Sequence, residues 1–228
     1  GYVSDDNRYL FISAANSTSG NELYLKDLSV PNSPIVAIHK GFEYDVDVLD
    51  NIGTTLFIVT NLKAPNKRIV TVDVANPGVE NWKDLIPETE QVLNPSTGAG
   101  YIFANYMKDA VSVVKQFDYK GKLIRTIALP GVGTASGFGG KAKDKELYFS
   151  FTNYVTPGTT YTFFPDSGKS SVYVKPKVDF VSENYESKQV FFTSKDGTKV
   201  PMSITDKKGL QLNGKNPTRL YGYGGFNV

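Results

Sequence analysis

Apolar and polar residues alternate in short runs along most of this chain, the period-two pattern of half-buried β-strands. Four of these runs resemble one another: "RYLFISAAN" at 8–16, "TTLFIVTN" at 54–61, "GYIFANYM" at 100–107 and "KELYFSFTN" at 145–153. Aligned on the aromatic that follows the first aliphatic, they place Phe11, Phe57, Phe103 and Tyr148 at spacings of 46, 46 and 45 residues. Three of the runs close on asparagine, at Asn16, Asn61 and Asn153. Each is followed by a loop and a second strand-like run, at 22–28, 68–74, 111–118 and 159–164, and then by a third short run such as "PIVAIH" at 34–39 or "LIRTIALP" at 123–130.

Several strands per unit at a fixed period of about 40 to 50 residues is the sequence pattern of a β-propeller, whose blades are four-stranded sheets stacked around an axis. The expected innermost strands are "EYDVDVLD" at 43–50, "QVLNPSTG" at 91–98 and "GVGTASGFGG" at 131–140, and the first unit lacks most of its own. Helical periodicity is nearly absent, and "VENWKDLIPE" at 79–88 is expected to form one short turn carrying the only tryptophan, Trp82. Beyond about residue 186 the repeat stops. Two runs flank "KDGTK" within 188–209, a hairpin signal, and "TRLYGY" at 218–223 reads as a further strand after the turn "LNGKNP".

Composition supports this reading and narrows the chemistry. The 228 residues are 40% hydrophobic and 21% charged, with 14 Tyr, 14 Phe, 21 Gly and 12 Pro, a balance that favours a globular β protein. No apolar run reaches the roughly 18 residues of a membrane helix. The net charge of +2 and the scattered lysines give no nucleic-acid footprint. Without cysteine there is neither a disulfide framework nor thiolate chemistry, which fits a cytoplasmic or a periplasmic address.

The candidate chemical motifs are sparse. The only histidine, His39, ends a strand-like run and reads as structural, since no second or third ligand stands at metal spacing. Glu43, Asp45 and Asp47 alternate along one expected strand face and read as polar channel lining; a calcium loop fails at Leu49. "GFGGKAK" at 137–143 lacks phosphate-loop spacing and reads as a turn, and "NST" at 16–18 is a glycosylation sequon in form only. No G-x-S-x-G occurs.

Four stretches, "VSDDNRYLFIS" (3–13), "FTNYVTPGTTY" (151–161), "SKDGTKVPMSITDKKG" (194–209) and "LYGYGGFNV" (220–228), resemble the prolyl oligopeptidase family of serine peptidases, and the likeness covers essentially the whole chain. That family pairs a seven-bladed propeller with a C-terminal α/β-hydrolase domain. The resemblance implies about four later blades of such a ring over residues 1–186, an incomplete ring, followed by the first strands of the hydrolase domain over 187–228. It implies a serine endopeptidase that cuts short peptides after proline, with the propeller admitting short peptides and excluding folded proteins. Tyr223 matches the family's oxyanion tyrosine, Gly224 and Gly225 the bend beside substrate, and Phe226 a residue of the proline pocket. The Ser-Asp-His triad has no match in these residues, so the chain alone is expected to be inactive, and the chemistry requires no cofactor. Partners are expected to be short proline-containing peptides, not nucleic acid or membrane, with self-association through open sheet edges. The alternative is a non-catalytic propeller that binds a protein or a carbohydrate.

Overall fold

The computed structural model of the chain describes residues 1–223. Four antiparallel four-stranded sheets follow one another in sequence, each with its strands in chain order. The first contains β1 (Tyr2–Val3), β2 (Tyr9–Ala14), β3 (Glu22–Asp27) and β4 (Ile35–His39); the second, β5 (Val46–Ile52), β6 (Thr55–Thr60), β7 (Arg68–Asp73) and β8 (Lys83–Ile86). The third holds β9 (Val92–Gly98), β10 (Tyr101–Lys108), β11 (Val111–Phe117) and β12 (Leu123–Thr126). The fourth holds β13 (Thr134–Gly137), β14 (Leu147–Thr152), β15 (Thr159–Phe164) and β16 (Lys169–Val174). A separate hairpin, β17 (Tyr185–Thr193) with β18 (Lys199–Lys207), follows a linker.

This is the meander of propeller blades, and the 46-residue period is physical. Alternation along each second strand sends neighbouring side chains to opposite sheet faces. Three cores result, one between each consecutive pair of sheets. Tyr9, Phe11, Leu23 and Leu25 of the first sheet meet Val46, Val48, Leu56 and Ile58 of the second. Phe57 and Ile69, on the second sheet's other face, meet Leu93, Ile102 and Tyr106 of the third. Phe103 and Val114 then meet Leu147, Phe149, Phe151 and Phe163 of the fourth. Phe11, Phe57 and Phe103 therefore share one role: each fills the gap between its own blade and the next. The last gap is the most aromatic, with Phe138 stacked on Phe149 at 4.6 Å and edge-on to Phe163 at 5.5 Å.

The fourth aligned aromatic shows what the arrangement leaves open. Tyr148 lies on the side of β14 opposite Leu147 and Phe149, stays 40% exposed and meets Tyr173 edge-on at 5.0 Å. At the other end, Leu10, Ile12 and Tyr24 of the first sheet, on the side opposite Tyr9 and Phe11, are only half-buried, and Ile35 beside them is exposed. Both terminal faces of the stack are thus apolar and partly exposed.

Several expectations shift in detail. The first sheet does have an inner strand, but only the two residues of β1. The segment 79–88 is a 3₁₀ turn, Val79–Asn81, leading into β8, so its second half is a strand and not part of the turn. Polar Lys83 and Asp84 conceal that strand from hydrophobic patterning. β16, "KSSVYV", is also a strand, although exposed throughout and without alternating burial. By contrast "TRLYGY" forms no strand through Tyr223. Leu220 and Tyr221 are exposed and pair with no other strand, and a strand-like sequence without a partner gains no ladder hydrogen bonds.

Candidate functional site

Blade geometry gathers the loops that join second to third strands, and outermost strands to the next innermost ones, at one end of the stack. Residues 15–21, 40–45, 61–67 and 153–158 lie there, and so does the Asp109–Ala110 tip between β10 and β11. Both tip residues have positive φ, 51° and 62°. The hairpin meets the blades at this end, where the Gln189 carboxamide donates to the Asp109 carbonyl. This end is the surface that any domain carried by the hairpin would face.

Its polar side chains largely secure backbone. The Asn21 carboxamide accepts from the Val46 N–H at 2.9 Å and donates to the Val46 carbonyl at 2.9 Å, joining the first blade to the inner strand of the second. At the third junction the Ser112 hydroxyl accepts from Ala135 N–H at 3.0 Å, and Asn105 donates to the Ala135 carbonyl at 2.8 Å. Two of the repeat-closing asparagines tie down the chain entering their own blades. Asn61 accepts from Asp45 N–H at 2.7 Å, and Asn153 donates to the Val132 carbonyl at 3.0 Å. Asn16 makes no such bond, and Asn21 instead ties the first blade to the second. The spacing of Asn61 and Asn153 was a visible signal; Asn21 and Ser112 carried none, because their partners are set by tertiary stacking.

The charged groups fall into the same network. β5 begins at Val46, so Glu43 and Asp45 belong to the incoming loop and do not share a strand face with Asp47. The Gly20 N–H, at 2.8 Å, holds the Asp45 carboxyl below the usual carboxylate range, helped by Lys67 at 3.4 Å. Desolvation raises Asp47, with Asp45 adding to it and Lys67 opposing. Tyr24 and Gly41 donate to Glu22 and lower it. His39 is 7% exposed, and burial lowers its pKa against the pull of Glu43 and Glu22. Its Nε2 has no partner among the described residues, and its ring stands edge-on to Tyr44 at 6.4 Å. These are the environments of structural groups. Among the described residues no cluster of His, Cys, Asp and Glu has metal-binding geometry.

At the opposite end two tyrosines fasten inner strands. The Tyr2 hydroxyl donates to the Val48 carbonyl at 3.0 Å and accepts from its N–H at 3.1 Å; burial pushes its pKa up to about 12. Tyr119 donates to the Asp50 carboxylate, and burial together with that partner raises its pKa strongly.

Tyr223, the expected oxyanion donor, is exposed at the end of the irregular segment after β18. Among the described residues no other candidate catalytic group stands beside it. Gly224, Gly225 and Phe226 lie outside the described residues.

Comparison with known proteins places the arrangement. Residues 1–176 match the family model described as "Prolyl oligopeptidase, N-terminal beta-propeller domain". The whole chain is 58% identical to a prolyl endopeptidase of Elizabethkingia miricola and 56% identical, over 227 residues, to one of Elizabethkingia meningoseptica. The chain spans 32% of the length of each of these relatives. Among solved structures, one of two prolyl endopeptidases studied for inter-domain dynamics superposes with a TM-score of 0.81 at 34% identity, covering 92% of this chain and 31% of that one. Prolyl oligopeptidase B of Galerina marginata, at 25% identity, gives 0.78 over 90% of this chain and 30% of its own, in a complex with a 35-residue hydrolysis and macrocyclization substrate.

Proposed function

The chain belongs to the prolyl oligopeptidase family, and from that premise we propose that it is part of a serine endopeptidase cleaving short peptides after proline. Its blades act as the filter that limits which peptides reach the catalytic centre. The observation that carries this reading is the reach of the likeness. The propeller match ends at residue 176, yet 58% identity to a prolyl endopeptidase runs on through the hairpin to residue 228. In this reading residues 187–228 are the opening strands of the α/β-hydrolase domain, which the likeness beyond the propeller match and a hairpin separate from the four blades support.

In acyl transfer the developing oxyanion needs donors held where its charge forms. Tyr223 supplies one through its phenolic O–H, Gly224 and Gly225 bend the chain close to substrate, and Phe226 packs the proline ring. Nucleophile, base and orienting carboxylate come from residues other than these 228, since no G-x-S-x-G occurs and the one histidine is buried at a blade junction. The chain alone therefore turns over no peptide. Acyl transfer by this machinery uses no cofactor, and the enzyme works in cytoplasm or periplasm. Separated from the rest of the enzyme, the chain self-associates through its two open sheet faces.

The test is Tyr223→Phe in the whole peptidase that carries this chain, assayed with a chromogenic proline peptide. Loss of one oxyanion donor lowers kcat by about 10²- to 10³-fold with KM little changed. An unchanged kcat would remove Tyr223 from the mechanism, and turnover by the 228-residue chain alone would overturn the assignment of the triad elsewhere.

A further inference from the structure

Two turns outside the blades place a glycine directly after an acid or its amide. Asp196–Gly197 joins β17 to β18, and Asn213–Gly214 lies in the irregular segment after β18. The second is the only Asn-Gly pair in the chain. The two turns differ in what their atoms are bound to. The Asp196 carboxylate accepts from the Thr198 N–H at 3.0 Å, and that bond, with the Thr198 and Ser194 hydroxyls, holds its pKa below the usual carboxylate range. It is an ionised group and a poor electrophile. The Gly197 N–H is also engaged, donating to the Ser194 carbonyl at 3.0 Å.

At Asn213 the opposite holds. Asn213 and Gly214 are exposed, as are Leu212 and Lys215 on either side. Oδ1 of Asn213 accepts from the Lys215 N–H at 2.9 Å, a bond that spans the Gly214 residue and folds the carboxamide back toward its nitrogen. The same bond draws electrons from Cγ. Among the described residues neither the Gly214 N–H nor the Asn213 Nδ2 has a hydrogen-bond partner. Gly214 has φ of +76°, and the space that a Cβ would fill is empty. The attacking nitrogen, the leaving nitrogen and the path between nitrogen and Cγ are all free. Exposed asparagines elsewhere lack the combination. Asn16 precedes Ser17, whose side chain restricts the backbone, and the Ser33 N–H after Asn32 is bound to the Val30 carbonyl at 3.2 Å.

We propose that Asn213 is a site of spontaneous covalent modification, converting to aspartate and β-linked isoaspartate. Hydroxide takes the Gly214 amide proton, and the nitrogen forms a bond to Cγ. The Cγ–Nδ2 bond breaks, and Nδ2 leaves as ammonia with a proton from water. Water then opens the five-membered succinimide. Cleavage between nitrogen and Cγ gives aspartate; cleavage between nitrogen and the backbone carbonyl gives isoaspartate, with an extra methylene in the main chain. Nothing is oxidised or reduced, and the formal net charge of +2 falls by one.

The test incubates the full-length protein that carries this chain in mildly alkaline buffer and follows each asparagine by peptide mass spectrometry. Asn213 is expected to convert at least about tenfold faster than Asn16 or Asn32, and faster as hydroxide rises. The product should accept methyl groups from S-adenosylmethionine through an isoaspartyl methyltransferase. Gly214→Ala should slow conversion about tenfold, with far-ultraviolet circular dichroism verifying the fold. Asn213 left intact while Asn16 or Asn32 converts overturns the proposal, and this comparison needs no variant. So does a product that accepts no methyl group, or a Gly214→Ala protein that converts at the original rate.

Discussion

Asn21 and Val46 exchange two hydrogen bonds across the first blade junction, the side chain of one taking both backbone groups of the other at 2.9 Å. A carboxamide has an acceptor and a donor at the spacing of a peptide unit, so Asn21 completes the start of β5 much as a neighbouring strand would. Val46 is fully buried, and neither of its backbone groups has water as a substitute. Asn21→Ala leaves both unpaired, at about 1–3 kcal/mol for each buried orphan group. A fall in urea-unfolding free energy of about 2 kcal/mol or more is expected. Asn21→Asp should be comparably harmful, because a carboxylate accepts from the Val46 N–H but repels its carbonyl.

Gly20, one residue earlier, has φ of +78°, and a Cβ there would overlap the Phe42 carbonyl oxygen. Gly20→Ala therefore meets both backbone strain and a collision with the loop entering the second blade. Gly53 has φ of +58° but open space around it. Gly53→Ala should cost about 1 kcal/mol, whereas Gly20→Ala should fail to yield soluble folded protein. Soluble recovery of the two variants, with a thermal melt of Gly53→Ala against the unchanged chain, separates collision from strain.

His39 makes the same junction sensitive to acid. Burial lowers its pKa in the folded chain, so the unfolded chain binds the proton more readily. Stability is then fully present above the unfolded value of about 6.5 and declines as pH falls below it, levelling only beneath the folded pKa. Asp45 and Glu22 have lowered carboxyl pKa values, and their contribution fades at more acid pH still. Between about pH 6.5 and 5 the rise of unfolding free energy with pH comes from His39, because Asp47, whose carboxyl is raised by burial, contributes a slope of the opposite sign. His39→Phe should flatten it, which denaturant melts across that window measure.

Tyr148 and Ile35 mark the two outer faces of the stack, 40% and 57% exposed. Each belongs to a surface of the kind that packs against a neighbouring sheet inside the chain. Sedimentation velocity of the 228-residue chain should show association that grows with concentration. Tyr148→Glu and Ile35→Glu should each shift it toward monomer. A monodisperse monomer throughout would contradict self-association through these faces.

The repeat could be read from the residues because it is local chemistry. Alternation fixes which side chains share a sheet face, and Phe11, Phe57 and Phe103 recur because each stacking gap needs a large ring at the same height, while Tyr148 holds the same position on the open face of the fourth sheet. The hairpin around Asp196–Gly197 was visible for the same reason: turn geometry selects Asp-Gly. β8 and β16 were hidden because an outermost strand is held by ladder hydrogen bonds and has little to bury, so its side chains are free to be polar. Asn21, Ser112, Tyr2 and Tyr119 gave no sign of their roles. Their partners lie from 23 to 69 residues away and meet them only when blades stack. The chain by itself thus determined strands, period and family. Which polar groups lock the blades and which aromatic faces stay open were decided by packing, because each depends on distances between sheets that no single sheet contains.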